Sequence, residues 1–241
     1  MVIDWIFKTP IAHRGLHGQG APENSMAAFL RAAEKGYPAE LDVRLTRDER
    51  VVVFHDDSLE RMTGKPGFVR DYDYKDIKDL ALQGTNERIP LLSELLAAAA
   101  CRLPLLIEIK NESPADRRTE DRLLEALSGY KGVFALQSFN ARGIKYCKEK
   151  RPDYFCGLLS DDGYKPERVP EEKTEFVKSL VFGKNRALDF VSYNAGLIPD
   201  GFTEKLNPEI PLICWTVRSI EAYHKVKPKV KNVIFEGFTP D

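Results

Sequence analysis

Apolar, β-rich runs alternate with helix-patterned stretches along almost the whole chain, and no other feature of the sequence restricts the fold as much. The strand-like runs fall at 11–14, 39–45, 105–110, 133–138, 154–159, 190–193, 211–217 and 232–236. Eight such runs are what a (β/α)₈ barrel needs to close, and a doubly wound open sheet is the other arrangement this rhythm permits. Helix starts are readable at Asn24, at Ser93, at Ser113-Pro114 and at Asn140, with Gly36 as a stop. Further helices are expected near 171–182, 199–206 and 219–226, where the pattern is weaker.

One run breaks the rhythm. Val51-Val52-Val53-Phe54-His55 follows the second strand after only five residues, too few for a parallel crossover, so it reads as the return arm of a β-hairpin. A two-residue turn at Asp48-Glu49 predicts Arg44 opposite Val53 and Asp42 opposite His55. The stretch 56–90 is polar, carries Gly64, Gly67 and Gly84, and reads as a small excursion over one end of a single 1–241 domain.

With 241 residues and 43% hydrophobic content the chain can bury one large core without cross-links. Thirty-six basic residues against 37 acidic leave a net charge of -1, which offers no general field for nucleic acid. Cys101, Cys147, Cys156 and Cys214 form no metal-binding spacing, and most of them read as small core residues. No signal peptide or membrane-spanning run is visible, so a cytoplasmic location is expected, and monomer and homo-oligomer are both open. Neither dinucleotide-binding nor P-loop glycine patterns occur, so no nucleotide cofactor is expected.

Glu40 and Asp42 are two apart on one expected strand, as are Glu108 and Lys110 on another, so each pair shares a face. Three carboxylates about 5 Å apart at a barrel mouth would repel by roughly 3 kcal/mol per pair at an effective dielectric near 20. A divalent cation would relieve this, and an all-oxygen set suits Mg²⁺, Ca²⁺ or Mn²⁺; buried salt bridges to Arg14, Arg44 or Lys110 are the equally weighted alternative. His13 ends the first strand beside Arg14 and Gly15, where barrel enzymes place working groups, and the hairpin brings His55 to the same mouth. Trp215 reads either as core or as an apolar wall for a small polar ligand, and Gln137 and Glu236 as supporting residues. His17 and His224 read as surface positions, with the mouth left open as a second place for His17 because it follows the first strand closely.

In order and spacing, His13-Arg14-Gly15, Pro22-Glu23-Asn24, Glu40-x-Asp42, Phe54-His55-Asp56, Leu106-Ile107-Glu108-Ile109-Lys110, Leu136-Gln137-Ser138-Phe139 and Cys214-Trp215-Thr216-Val217 resemble the glycerophosphodiester phosphodiesterase family. The resemblance implies a TIM barrel that hydrolyses glycerophosphodiesters to glycerol 3-phosphate and an alcohol with one divalent cation, Mg²⁺ or Ca²⁺. It also implies metal ligands Glu40, Asp42 and Glu108, an acid–base pair His13 and His55, phosphate contacts Arg14 and Lys110, and a glycerol contact at Trp215. In the implied scheme the substrate's own 2-hydroxyl attacks phosphorus and a cyclic phosphate is then hydrolysed. A lysophospholipase D and a non-catalytic phosphodiester-binding barrel are the competing readings. The sequence departs from the family near its end, where Phe235-Glu236-Gly237-Phe238-Thr239-Pro240-Asp241 replaces the usual Asp-Gly-Ile-Ile-Thr-Asp, and Ser25 stands for a common threonine.

Overall fold

The computed structural model describes residues 4–99, 101–111, 113, 115–161, 188–199, 201 and 203–240. Eight parallel strands form its centre: β1 (Ile11–Ala12), β2 (Ala39–Leu45), β4 (Leu105–Ile109), β5 (Phe134–Ser138), β6 (Cys156–Ser160), β7 (Phe190–Asn194), β8 (Leu212–Val217) and β9 (Asn232–Phe235). Each pairs with the next, and β1 pairs with both β9 and β2, so the sheet closes on itself as a TIM barrel. The expected helix at 171–182 lies outside the described residues. The one expected at 199–206 is absent among the described residues of that stretch, which carries turns instead.

Strand parity sorts the side chains. Leu41, Val43, Leu105, Ile107 and Ile109 face outward into the main apolar cluster under the helices, whereas Glu40, Asp42, Leu106 and Glu108 alternate with them and face the barrel interior. Toward the N-terminal end the interior is filled by Ile11, Leu106, Ala135, Phe190, Ile213 and Ile234. A short helix that the sequence reading did not include, α1 (Trp5–Lys8), closes that end: Ile6 packs on this layer and Asn232 donates to the Ile6 and Thr9 carbonyls at 2.8 and 2.7 Å. The apolar layer gives way to charge at the C-terminal end.

α2 (Met26–Glu34) buries Ala28, Phe29 and Ala32 against the barrel. Its cap is Ser25, whose hydroxyl accepts from the Ala28 N–H at 3.2 Å, not Asn24 as the sequence suggests. Asn24 takes a left-handed conformation and turns toward Asp42 instead. Gly15 sits at φ +78, and a Cβ there would lie 2.9 Å from the backbone and side chain of Ala28, so only glycine lets β1 pass this close to α2.

The hairpin forms, one residue out of the expected register. β3 (Val51–Val53) pairs Val43 with Val53 and Arg44 with Val52, and the Phe54 N–H, rather than that of His55, donates to the Asp42 carbonyl. The reason is the turn: Thr46 and Arg50 close a three-residue loop in which Glu49 adopts φ +57. β3 and the residue after it serve two cores, Val53 the main one and Val52 and Phe54 another. That second core belongs to the 56–90 excursion, whose α3 (Glu60–Thr63) and α4 (Tyr74–Ile77) contribute Met62 and Ile77 alongside Leu59, Val69, Leu82 and Ile89. The excursion is therefore a packed unit and not the largely polar cover its composition suggests.

α5 (Leu92–Ala99) begins one residue before the expected Ser93 cap, and the Glu94 carboxylate accepts from the Leu91 N–H at 2.9 Å. α6 (Arg118–Leu127) starts later than Ser113-Pro114 implies, with Asp116 accepting from the Arg118 N–H. α7 (Ala141–Lys150) is capped by Asn140 onto Gly143, and α8 (Ile220–Val226) by Ser219 onto Ala222. Cys147, Cys156 and Cys214 are buried and free, whereas Cys101 is exposed.

Candidate active site

The C-terminal ends of the strands surround a cavity of about 200 Å³, lined among others by His13, Arg14, Glu40, His55, Glu108, Lys110 and Trp215. Asp42 is buried behind it, reached through Lys110 and Arg14. In-register pairing of β2, β4 and β5 sets Asp42, Glu108 and Gln137 side by side in one row, with Glu40 one step below. One carboxylate oxygen from each of Glu40, Asp42 and Glu108 lies within 4.8 Å of the others.

These acids are held in place by neighbours. The Asn24 amide donates to Asp42 at 2.8 Å, and the Arg14 backbone N–H donates to Glu40 at 2.9 Å. Lys110 pairs with Asp42 Oδ1 at 3.1 Å and with Glu108, while Arg14 Nε lies 3.5 Å from Asp42. Burial, then the like charges of Asp42 and Glu108, push the Glu40 carboxyl well above its usual range. Burial also lifts Glu108, to about 7, against the pull of Lys110. Burial would raise Asp42 too, but Lys110, His55 and Arg14 together hold it below the usual carboxylate range.

Three carboxylates against Lys110 and Arg14 leave the cluster with one net negative charge when all are ionised. Glu40 Oε1 is buried with no hydrogen-bond partner among the described residues. A buried, unpartnered acceptor in an all-oxygen set is what a hard divalent cation requires, so the residues fit one.

His13 and His55 each face the cavity with Nδ1 engaged. His13 Nδ1 meets Glu236 Oε2 at 2.5 Å, and Glu236 is gripped on its other oxygen by Arg218 Nε at 2.5 Å. His55 Nδ1 meets Asp56 Oδ1 at 2.6 Å. An ionised carboxylate only accepts, so both rings carry their proton on Nδ1 and leave Nε2 open. Burial lowers both imidazoles below the ordinary histidine value, opposed at His13 by Glu236 and at His55 by Asp42. Burial of Glu236 is outweighed by His13, His17 and Arg218, which hold its carboxyl low.

His17 takes the second of the two places the sequence left open for it, approaching Glu236 at 3.5 Å. Trp215 is anchored by its Nε1 on the Ser192 carbonyl at 3.2 Å and stands edge-on to Phe139, with ring centroids 5.6 Å apart. The sequence reading gave no site role to Glu23, Asp56, Phe139 or Arg218, took Asn24 for a helix cap and Arg61 for one of several basic residues of the excursion open to further contacts; all six lie in or beside its quoted motifs, which was the one available signal. His224 stays exposed on α8, apart from the cavity.

A closed parallel barrel with its titratable groups gathered at the C-terminal mouth places the molecule among the TIM-barrel proteins with a mouth-facing site. Residues 13–235 match the Glycerophosphoryl diester phosphodiesterase family, and the chain belongs to it. It is 36% identical over 163 residues to a glycerophosphodiester phosphodiesterase of Caldanaerobacter subterraneus subsp. tengcongensis, covering 64% of this chain and 67% of that one. The matched stretch spans about two thirds of the length of the curated relatives. A glycerophosphodiester phosphodiesterase structure from Thermotoga maritima superposes with a TM-score of 0.74 at 27% identity, covering 94% of each chain. A phosphodiesterase from Oleispira antarctica, solved with its product sn-glycerol-3-phosphate, gives 0.79 at 22% identity, over 93% of this chain and 91% of that one.

Proposed function

We propose that the protein hydrolyses glycerophosphodiesters to glycerol 3-phosphate and an alcohol, using one divalent cation, Mg²⁺ or Ca²⁺, at Glu40, Asp42 and Glu108. The observation that carries this reading is two imidazoles with Nε2 open on one cavity beside three clustered buried carboxylates. The bound cation supplies positive charge that makes the cluster attractive to a phosphodiester and stabilises charge developing on its oxygens.

Arg14 and Lys110 hold the phosphate oxygens, Arg14 by its planar fork and Lys110 as a point charge. Trp215 packs on the glycerol carbons. One histidine, its Nε2 bare, accepts the proton of the glycerol 2-hydroxyl as that oxygen bonds to phosphorus, and the other, entering the step as an imidazolium protonated on both nitrogens, gives its Nε2 proton to the departing alcohol oxygen. The cyclic phosphate is then opened by water with the two roles exchanged, which restores both rings. Glu236 and Asp56 hold the proton on each Nδ1, so that Nε2 is the atom that takes or gives the transferred proton.

Among the described residues no helix is long and apolar enough to cross a membrane, and the reading is completed by a cytoplasmic location and water-soluble diesters as substrates. Phe139, 43% exposed beside Trp215 at the mouth, favours lipid-borne diesters as the second reading. Choline release from glycerophosphocholine, measured beside choline release from micellar lysophosphatidylcholine, tests both. Faster turnover of the soluble diester supports the proposal, faster turnover of the micellar one supports a lysophospholipase D, and binding without product supports a binding barrel.

A further inference from the structure

One guanidinium outside the cavity ties its two sides together. Arg61 of α3 makes two forks: Nε and Nη2 to the Asp56 carboxylate at 2.5 and 3.0 Å, and Nη1 and Nη2 to Glu23 at 2.8 and 2.7 Å. Asp56 Oδ1, held by one fork, is the atom that accepts from His55 Nδ1. Glu23 Oε1, held by the other, is the atom that accepts from Arg14 Nη1 at 2.7 Å. The result is an unbroken chain His55–Asp56–Arg61–Glu23–Arg14, running from one cavity-lining group to another through a residue outside the lining of this cavity. Both carboxylates stay ionised: against burial, Arg61 and His55 hold Asp56 at about 2, and Arg61 and Arg14 hold Glu23 low.

We propose that Arg61 is a positioning residue for both His55 and Arg14, so that the packed excursion sets the geometry of the barrel mouth. The inference rests on the functional reading above, in which His55 transfers a proton and Arg14 holds phosphate. Two bidentate contacts from one plane fix both carboxylates at once, which a lysine at the same place cannot do. Loss of Arg61 frees Asp56 to rotate, releasing the His55 tautomer, and frees Glu23 to pull Arg14 off its line.

The test uses the full chain as wild type, Arg61→Ala, Arg61→Lys and Asp56→Asn, read by kinetics and by ¹⁵N histidine resonances, which four histidines make assignable. Arg61→Ala should lower kcat by about tenfold to a hundredfold, the range found for residues that orient working groups, and also raise KM. Arg61→Lys should recover the thermal midpoint but not kcat, and Asp56→Asn should lower kcat with little change in KM. The His55 signal should shift from the Nδ1–H form to mixed tautomers in Arg61→Ala. In a His55→Ala background, Arg61→Ala should lower kcat by less than about threefold further while still raising KM. An unchanged His55 tautomer, or an undiminished kcat loss in the His55→Ala background, would overturn the proposal and leave Arg61 a stabilising residue only. If wild type releases no glycerol 3-phosphate, the functional reading fails, and the tautomer measurement still decides the role of Arg61.

Discussion

Glu40, Asp42 and Glu108 bring three carboxylates into a space that excludes water, and the folded protein resists ionising two of them. Glu108 shows the consequence for stability. Its folded value, about 7, lies above the ordinary 4.5, so its contribution is fully favourable below 4.5 and is lost as the pH rises toward 7. In cation-free protein, Glu108→Gln should therefore gain stability relative to wild type across that interval, as urea unfolding at pH 4.5 and pH 7.5 will show. A constant difference would mean that Glu108 does not sense Asp42 and burial as described. The histidines predict a different pattern: His13→Ala and His55→Ala should each lower kcat by about a hundredfold to ten-thousandfold while cation binding by calorimetry persists. Most of these residues were legible in the sequence, because an i, i+2 acid pair on a strand needs only parity to be seen. Glu23 and Asp56 were not legible as partners of one guanidinium, since their relation is made by the excursion folding back across the mouth.

At the level of elements, the eight strands could be read because parallel strands buried on both faces are written as continuous aliphatic runs, as in Leu105–Ile109. The hairpin register could not, because a left-handed Glu49 adds a residue to the turn and no glycine or asparagine announces it. The excursion core was hidden for another reason: Leu59, Met62, Val69, Ile77, Leu82 and Ile89 follow neither the helix nor the strand period. Leu59 is fully buried there, so Leu59→Ala should cost about 2–5 kcal/mol, measured by urea unfolding. Because the excursion carries Asp56 and Arg61, that variant should also lose kcat while still binding a cation. Gly15→Ala should destabilise by roughly 1–3 kcal/mol, since its φ of +78 and the 2.9 Å approach to Ala28 leave a Cβ no room. An unchanged melting temperature for Gly15→Ala would contradict the packing of β1 on α2.

At the scale of the whole molecule, the site exists only when the barrel is closed. His13 and Glu236 are separated by 223 positions, and the His13 N–H donates to the Phe235 carbonyl at 2.9 Å while the Gly15 N–H donates to the Glu40 carbonyl at 3.1 Å. Barrel closure thus places one histidine, its carboxylate and the first acid in a single step. A cation held by β2 and β4 binds the folded chain and not the unfolded one, and at about a hundred times its dissociation constant adds roughly 2.7 kcal/mol to stability. The most direct measurement is glycerol 3-phosphate release from glycerophosphocholine and glycerophosphoethanolamine by chelator-stripped protein, with Mg²⁺, Ca²⁺ or Mn²⁺ restored, beside Glu40→Gln. The account predicts no release without cation, recovery on adding one, and no recovery in Glu40→Gln. Release that is indifferent to chelator, or undiminished in Glu40→Gln, would contradict it.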